Sequence, residues 1–260
     1  MVNYRLLALD LDETLLTGDK RITDETKYWI SQAKKAGVIV IFATGRGLQR
    51  IGYIREELNL DTPMVLVNGA EIWEKPGKLL ARYFISRKDI RMLHTFAVDA
   101  GASYWGYSVE SLTGPGTWSD EMFDRNWMKF GIRHDDCKVI QEIKKQAANS
   151  TSLEITSSSS VNLEFSFKGI SKKSGVGKVC NLLNINMEKV MAIGDNLNDL
   201  QLIQSAGLGI AMGNADIRLK EAADEITGTN EENGVARAIQ RYIFGLNQDI
   251  QKEMSSLGDL

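Results

Sequence analysis

Cysteine, histidine and proline are scarce in this 260-residue chain, at two, two and three residues. Cys137 and Cys180 offer neither a metal-ligand spacing nor a disulfide framework, which points to a reducing compartment. His94 and His134 have no partner at ligand spacing and read as structural. An excess of one charge is also missing. The 31 basic and 34 acidic residues give a formal net charge of −3 with no basic block, so there is no electrostatic footprint for nucleic acid. No apolar run reaches the roughly 18 residues that span a bilayer. Asp10 and Asp12 interrupt the N-terminal apolar stretch before it takes the shape of a signal peptide. A soluble, cytoplasmic protein with no nucleic-acid or membrane partner is expected.

The chain does hold an α/β rhythm. Leu6-Leu7-Ala8-Leu9 is a continuous apolar run ending in Asp10, the pattern of a strand covered on both faces. Thr23, followed by Asp24 and Glu25, marks a helix start, and Gly37 its stop. A second strand over 38–43, helical spacing of Leu48, Ile51, Ile54 and Leu58, and a third strand over 64–67 predict a parallel sheet. Turn signals follow at Asn68-Gly69 and Pro76-Gly77.

From 86 to 167 the chain is richer in aromatics and polar turns. Helices are expected over 88–100 and 136–148, a strand over 102–109, a loop over 111–119 and a strand pair within 152–167. After Gly169 the rhythm returns, with helices over 176–183, 200–206 and 234–244 and strands over 189–193 and 208–212. The polar C-terminal tail reads as a frayed helix. The fold class expected is α/β. A Rossmann-like parallel-sheet core of residues 1–85 and 168–260 carries a smaller inserted α/β cap domain of residues 86–167.

Four polar loci fall just past the ends of expected strands, where open α/β sheets collect ligands. Asp10 and Asp12 form a carboxylate pair that suits a hard cation and a phosphoryl group, with Asp10 as nucleophile and Asp12 as acid and base. Taken alone, the pair fits a capped loop after a strand better than a catalytic pair. Thr44 and Gly45 can hydrogen-bond a phosphoryl oxygen, and they also suit a helix N-cap. Arg46 is either part of the site or a surface ion-pair partner. Lys172 supplies a point charge or is a solvated helix-start lysine, with Lys173 as its neighbour and competitor. Asp195 completes a metal shell, Asn198 reaches the phosphate, and Asp199 orients the lysine or metal-bound water. Those three also fit an acidic N-cap.

In this order the residues resemble the haloacid dehalogenase-like hydrolase superfamily, in its Cof-like phosphatase branch with a type IIB cap. The matches are DLDETLL at 10–16, FATGR at 42–46, VNGAEI at 67–72, GISK at 169–172 and AIGDNLNDL at 192–200, with GIAMGNA at 209–215 and NGVARAI at 233–239. The resemblance implies an Mg²⁺-dependent phosphatase acting on a small phosphorylated metabolite, a sugar or cofactor phosphate, through an aspartyl-phosphate. It implies Asp10 as nucleophile and metal ligand, Asp12 as acid/base and metal ligand through its backbone carbonyl, and Asp195 as the third ligand. Leu11 through its amide, Thr44, Gly45, Lys172 and Asn198 would hold phosphate, and the cap would close over the site and select substrate.

Two positions depart from the family pattern. Glu13 and Lys173 stand where the family usually has Gly, and Lys172 is preferred because the apolar-Ser-Lys spacing matches. Asn68-Gly69 reads as a tight turn or as a contact to substrate or cap. Trp105, Tyr107, Trp118 and Trp127 read as the core of the inserted block, and Cys180 as core. A phosphomutase with the same nucleophile is the rival activity. A non-catalytic ligand-binding protein is disfavoured because no group of the motifs is missing.

Overall fold

A run of apolar residues with no polar alternation needs cover on both sides, and the chain supplies it by winding helices around a central sheet. The computed structural model describes residues 3–157 and 159–246, so the expected C-terminal tail lies outside the described residues. In chain order the strands are β1 (Leu6–Leu9), β2 (Ile39–Ala43), β3 (Met64–Leu66), β4 (Glu71–Lys75), β5 (Lys78–Arg82), β6 (Ser103–Ser108), β7 (Leu112–Thr113), β8 (Trp127–Arg133), β9 (Leu153–Thr156), β10 (Asn162–Phe167), β11 (Val190–Gly194), β12 (Leu208–Ala211) and β13 (Glu225–Ile226). The helices are α1 (Asp24–Lys35), α2 (Gly52–Glu57), α3 (Arg87–Asp99), α4 (Cys137–Ala147), α5 (Lys172–Leu183), α6 (Leu200–Ile203), α7 (Ile217–Ala222) and α8 (Gly234–Phe244).

Eight strands form the first sheet in the order β13-β12-β11-β1-β2-β3-β4-β5. The strands from β13 to β3 are parallel, and the β3-β4-β5 edge is antiparallel. Successive strands leave β1 in one direction and β11 in the other. The topological switch point therefore lies between β1 and β11, and a crevice opens at their C-terminal ends. Asp10 follows β1 there, and Asp195 follows β11.

The second sheet, β7-β6-β8-β10-β9, is antiparallel throughout. Its side chains alternate between two faces. Phe130, Ile132, Leu163 and Phe165 join Ile90, Leu93 and Ile143 from α3 and α4 in a separate apolar cluster. The other face carries Trp105, Tyr107, Lys129 and Glu164. The register pairs Tyr107 with Lys129, and Gly131 with both Trp105 and Glu164, so these residues share a face. Gly131 has a steric role, because a Cβ there would fall inside the Trp105 ring.

Several local expectations need correction. The single helix expected across 48–58 is a 3-10 turn, Leu48–Arg50, followed by α2 from Gly52. The strand over 64–67 ends at Leu66, because Val67, Asn68 and Gly69 take φ of 51°, 55° and 95°. A β-branched residue in that region is a real outlier, so the turn is held against local preference. Helix α5 begins at Lys172, four residues before the expected start, behind a Ser171–Ser174 capping box. The helix expected to run to 206 closes at Ile203. β7 lies inside the expected 111–119 loop, and β8, α7 and β13 were not anticipated. No helix of the described residues is long and apolar enough to cross a membrane.

Candidate active site

The Asp10 backbone N–H donates to the Ile193 carbonyl at 3.1 Å, which fixes the loop after β1 beside β11. The Leu11 side chain is buried, and its carbonyl accepts from the Thr14 and Leu16 amides, curling the loop back. Glu13 sits at φ 58°, which accounts for a preference for Gly at this position. Its carbonyl accepts from the Asn214 amide at 2.8 Å, and its carboxylate lies 3.3 Å from Lys20.

Lys172 is completely buried, and Lys173 points to solvent, which separates the two competing lysines. The Lys172 Nζ lies 2.9 Å from Asp10 Oδ1 and 2.7 Å from Asp199 Oδ1. Burial would push this ammonium down, but the Asp10 and Asp199 carboxylates outweigh it and hold it above the usual lysine range. The solvated helix-start reading is therefore excluded. Asp199 also accepts from the Asp195 and Asn196 amides through Oδ2. Gly194 is required at this point, since a Cβ would collide with the Asp199 carboxyl.

Carboxylate oxygens of Asp10, Asp195 and Asp199 all lie within 4.8 Å of one another. Asp199 spends its oxygens on Lys172 and two backbone amides, which leaves Asp10 and Asp195 as the ligand pair for a cation. Burial, then the Asp10 and Asp199 charges, push the Asp195 carboxyl well above the usual range against the pull of Thr14 and Lys172. A divalent ion would relieve that crowding, and an all-oxygen donor set suits Mg²⁺. The Thr14 hydroxyl donates to Asp195 Oδ1 at 2.8 Å. Thr14 stands inside the DLDETLL motif, but nothing in its spacing gave it a role.

Asp12 is turned away from this cluster. Arg46 grips its carboxylate with two hydrogen bonds, Nε to Oδ2 at 2.8 Å and Nη2 to Oδ1 at 2.7 Å, and Lys20 approaches at 3.1 Å. Burial pushes the Asp12 carboxyl up, but Arg46 and then Lys20 outweigh it and hold it at about 2. Arg46 is thus an ion-pair partner of Asp12, with its own side chain only 15% exposed.

The Thr44 hydroxyl oxygen accepts from the Arg46 amide at 3.2 Å. Gly45 lies under Asn68, whose Oδ1 would press on a Cβ at 3.1 Å. Asn198 donates through Nδ2 to Asn68 Oδ1 at 3.3 Å. Its own Oδ1 is buried with no hydrogen-bond partner among the described residues. The residues from β1, β2 and β11 thus meet at one floor.

Above that floor lies a cleft of about 450 Å³, walled by Trp105, Tyr107, Leu112, Lys129 and Glu164 of the second sheet. Trp118 and Trp127 stack on each other at 4.9 Å in that sheet's own core, as expected, but Trp105 and Tyr107 do not join them there. His94 packs among Tyr104, Trp118 and Phe123, which bears out its structural reading.

A family model for haloacid dehalogenase-like hydrolases matches residues 7–239. The 5-amino-6-(5-phospho-D-ribitylamino)uracil phosphatase of Bacillus subtilis (strain 168) is 37% identical over 243 residues, covering 94% of this chain and 97% of the relative. The pyridoxal phosphate phosphatase of Escherichia coli (strain K12) is 26% identical, over 92% and 99%. The solved structure of a haloacid dehalogenase-like hydrolase from B. subtilis superposes with a TM-score of 0.84 at 25% identity, over 91% of this chain and 99% of that one. With the match running from β1 into α8 and over nearly the full length of these relatives, the chain belongs to the haloacid dehalogenase-like hydrolases, in their Cof-like phosphatase branch.

Proposed function

We propose that this protein hydrolyses the phosphate monoester of a small metabolite through a phosphoryl group carried on Asp10. The observation that carries the reading is the burial of the Lys172 ammonium between Asp10 and Asp199, beside Asp195, at the sheet's switch point. A lysine so placed is costly to desolvate, so stability alone is a weak account of it. It does meet the need of a phosphoryl transfer for fixed positive charge beside the nucleophile.

Mg²⁺ would be held by Asp10, Asp195 and the Asp12 backbone carbonyl, and would supply charge neutralisation on the phosphoryl oxygens. The chain's own groups do the rest. An Asp10 carboxylate oxygen attacks phosphorus, forming an O–P bond as the ester O–P bond breaks. The leaving alkoxide takes a proton from Asp12. Lys172, the Thr44 hydroxyl, the Leu11 and Gly45 amides and Asn198 hold the phosphoryl oxygens. Water then attacks the aspartyl-phosphate, giving its proton to Asp12 and returning Asp10 as a free carboxylate. For Asp12 to serve, it must first leave the Arg46 grip.

The second sheet acts as a cap that selects the leaving group. Its Trp105 and Tyr107 wall suits a metabolite carrying a planar ring. Two relatives are named for such substrates, an aminouracil ribityl phosphate and pyridoxal phosphate. Phosphate release from sugar, nucleotide and cofactor phosphates, with and without Mg²⁺ and beside Asp10→Asn, tests the reading. Metal-dependent release that vanishes in the variant supports it. No release from any compound by folded wild type overturns it.

A further inference from the structure

A file of polar side chains crosses from the cap into the phosphate floor. Lys129 Nζ lies 3.1 Å from Glu164 Oε1 and donates to the Gly45 carbonyl at 3.2 Å. Glu164 Oε2 accepts from Asn68 Nδ2 at 2.8 Å. Asn68 Oδ1 accepts from Asn198 Nδ2 at 3.3 Å. Lys129 and Glu164 belong to the cap sheet, whereas Gly45, Asn68 and Asn198 belong to the core. Lys129, Glu164 and Asn68 are all buried.

The direction of this file follows from its chemistry. A carboxylate paired with an ammonium only accepts. Asn68 must therefore turn its NH₂ toward Glu164 and its oxygen toward Asn198. Asn198 must in turn offer its NH₂ to Asn68. Were either amide reversed, two acceptors would face each other inside a buried site. Glu164 thus dictates, two amides away, which side of Asn198 carries hydrogen.

The backbone is bent to make this possible. Asn68 sits between Val67 at φ 51° and Gly69 at φ 95°, itself at φ 55°. A β-branched residue tolerates that region only where its surroundings over-determine it. The turn places the Asn68 side chain between Glu164 and Asn198.

We propose that Glu164 is a positioning residue that orients the Asn68–Asn198 amide pair, so that seating of the cap sets the phosphate-facing donor on the core. Lys129 cancels the Glu164 charge, which would otherwise repel an incoming phosphate. With the cap lifted, Asn68 loses its anchor and both amides turn freely. With the cap seated, Asn198 presents its remaining N–H in one direction. Phosphate grip is then coupled to closure with no movement of Asn198's own backbone. The direction of the file stands on the geometry alone, and the phosphate-facing role of Asn198 rests on the proposed phosphatase reading.

Two measurements test this, and they separate the two readings. In ¹⁵N-asparagine-labelled protein, the side-chain amide signals of Asn68 and Asn198 are assigned with the two alanine variants. Glu164→Gln, whose own amide has no fixed polarity, is expected to move both pairs. An Asn198 pair that stays in place overturns the relay. The Glu164→Gln/Lys129→Gln variant removes both charges together and takes over if Glu164→Gln alone fails to fold.

The second measurement is calorimetry with inorganic phosphate in the presence of Mg²⁺. Glu164→Gln is expected to weaken phosphate binding by roughly fivefold, within the range of one lost hydrogen bond. In the Asn198→Ala background the same change should cost less than about twofold, because the group it positions is gone. Full additivity overturns the proposal. A wild type that neither binds nor releases phosphate refutes the phosphatase reading instead, and the amide signals still decide the relay.

Discussion

Thr14 and Asp195 are 181 positions apart in sequence and are joined by a buried 2.8 Å hydrogen bond. The bond ties the loop after β1 to the loop after β11 across the switch point. It also favours the charged form of a carboxyl that burial and two neighbouring carboxylates push toward protonation.

Thr14→Val keeps the shape and removes the donor. Asp195 should then hold its proton more tightly, so Mg²⁺ must compete with it. The half-saturating Mg²⁺ concentration for phosphate release is expected to rise about tenfold, in line with one lost charge-assisted bond. Titrating activity against Mg²⁺ at fixed pH checks this, and an unchanged midpoint would remove Thr14 from the site.

Lys172→Met leaves Asp10, Asp195 and Asp199 together without their cation. Breaking a buried pair this way costs about 3–5 kcal/mol. Urea unfolding should show that loss, and activity should disappear. Adding Mg²⁺ should recover more stability in the variant than in wild type, because the ion then carries the compensation alone. Equal Mg²⁺ effects on both proteins would contradict the placement.

The Asp12–Arg46 pair makes a prediction about pH. The Asp12 carboxyl is held at about 2 against an ordinary 3.8. A depressed folded-state value means that the pair's contribution is fully present above 3.8 and fades as pH falls toward about 2. A carbon-detected titration should place the Asp12 midpoint near that lower value in wild type. In Arg46→Ala it should rise part of the way back, since Lys20 remains. A midpoint unmoved by the substitution would mean that Arg46 does not set it.

Gly69→Ala tests the link between turn and helix. Its φ of 95° and the Ser171 carbonyl against it leave no room for a methyl group. The change should cost about 1–3 kcal/mol. Because Ser171 caps α5, displacement there moves Lys172, so kcat should fall further than stability alone explains. Denaturation curves with kcat on the folded fraction separate the two effects.

The motifs around Asp10, Thr44 and Asp195 were legible because each sits at the end of a short buried strand. Strand and ligand position are there written in the same few letters, as at Asp10 and Asp195. Lys172 was identifiable only through its motif, since a lysine behind Ser171 looks like an ordinary helix start until the fold buries it. The cap was harder to read. β8 is its central strand, yet Lys129 and Gly131 break the continuous apolar run that marks the core strands. Those two residues serve the cleft face, one as a charge and one as room for Trp105. The grip of Arg46 on Asp12 spans 34 residues and depends on how two loops meet, which no local pattern encodes.

The alternation along the cap strands gives this protein two independent alphabets. Positions such as Phe130, Ile132 and Phe165 face the cap's own interior, whereas Trp105, Tyr107, Lys129 and Glu164 face the cleft. Substitutions in the second set can rewrite the chamber's interior lining while the first set keeps the sheet standing. A combinatorial library confined to the cleft-facing letters should therefore yield folded proteins at high frequency, and their diversity should appear as altered substrate choice.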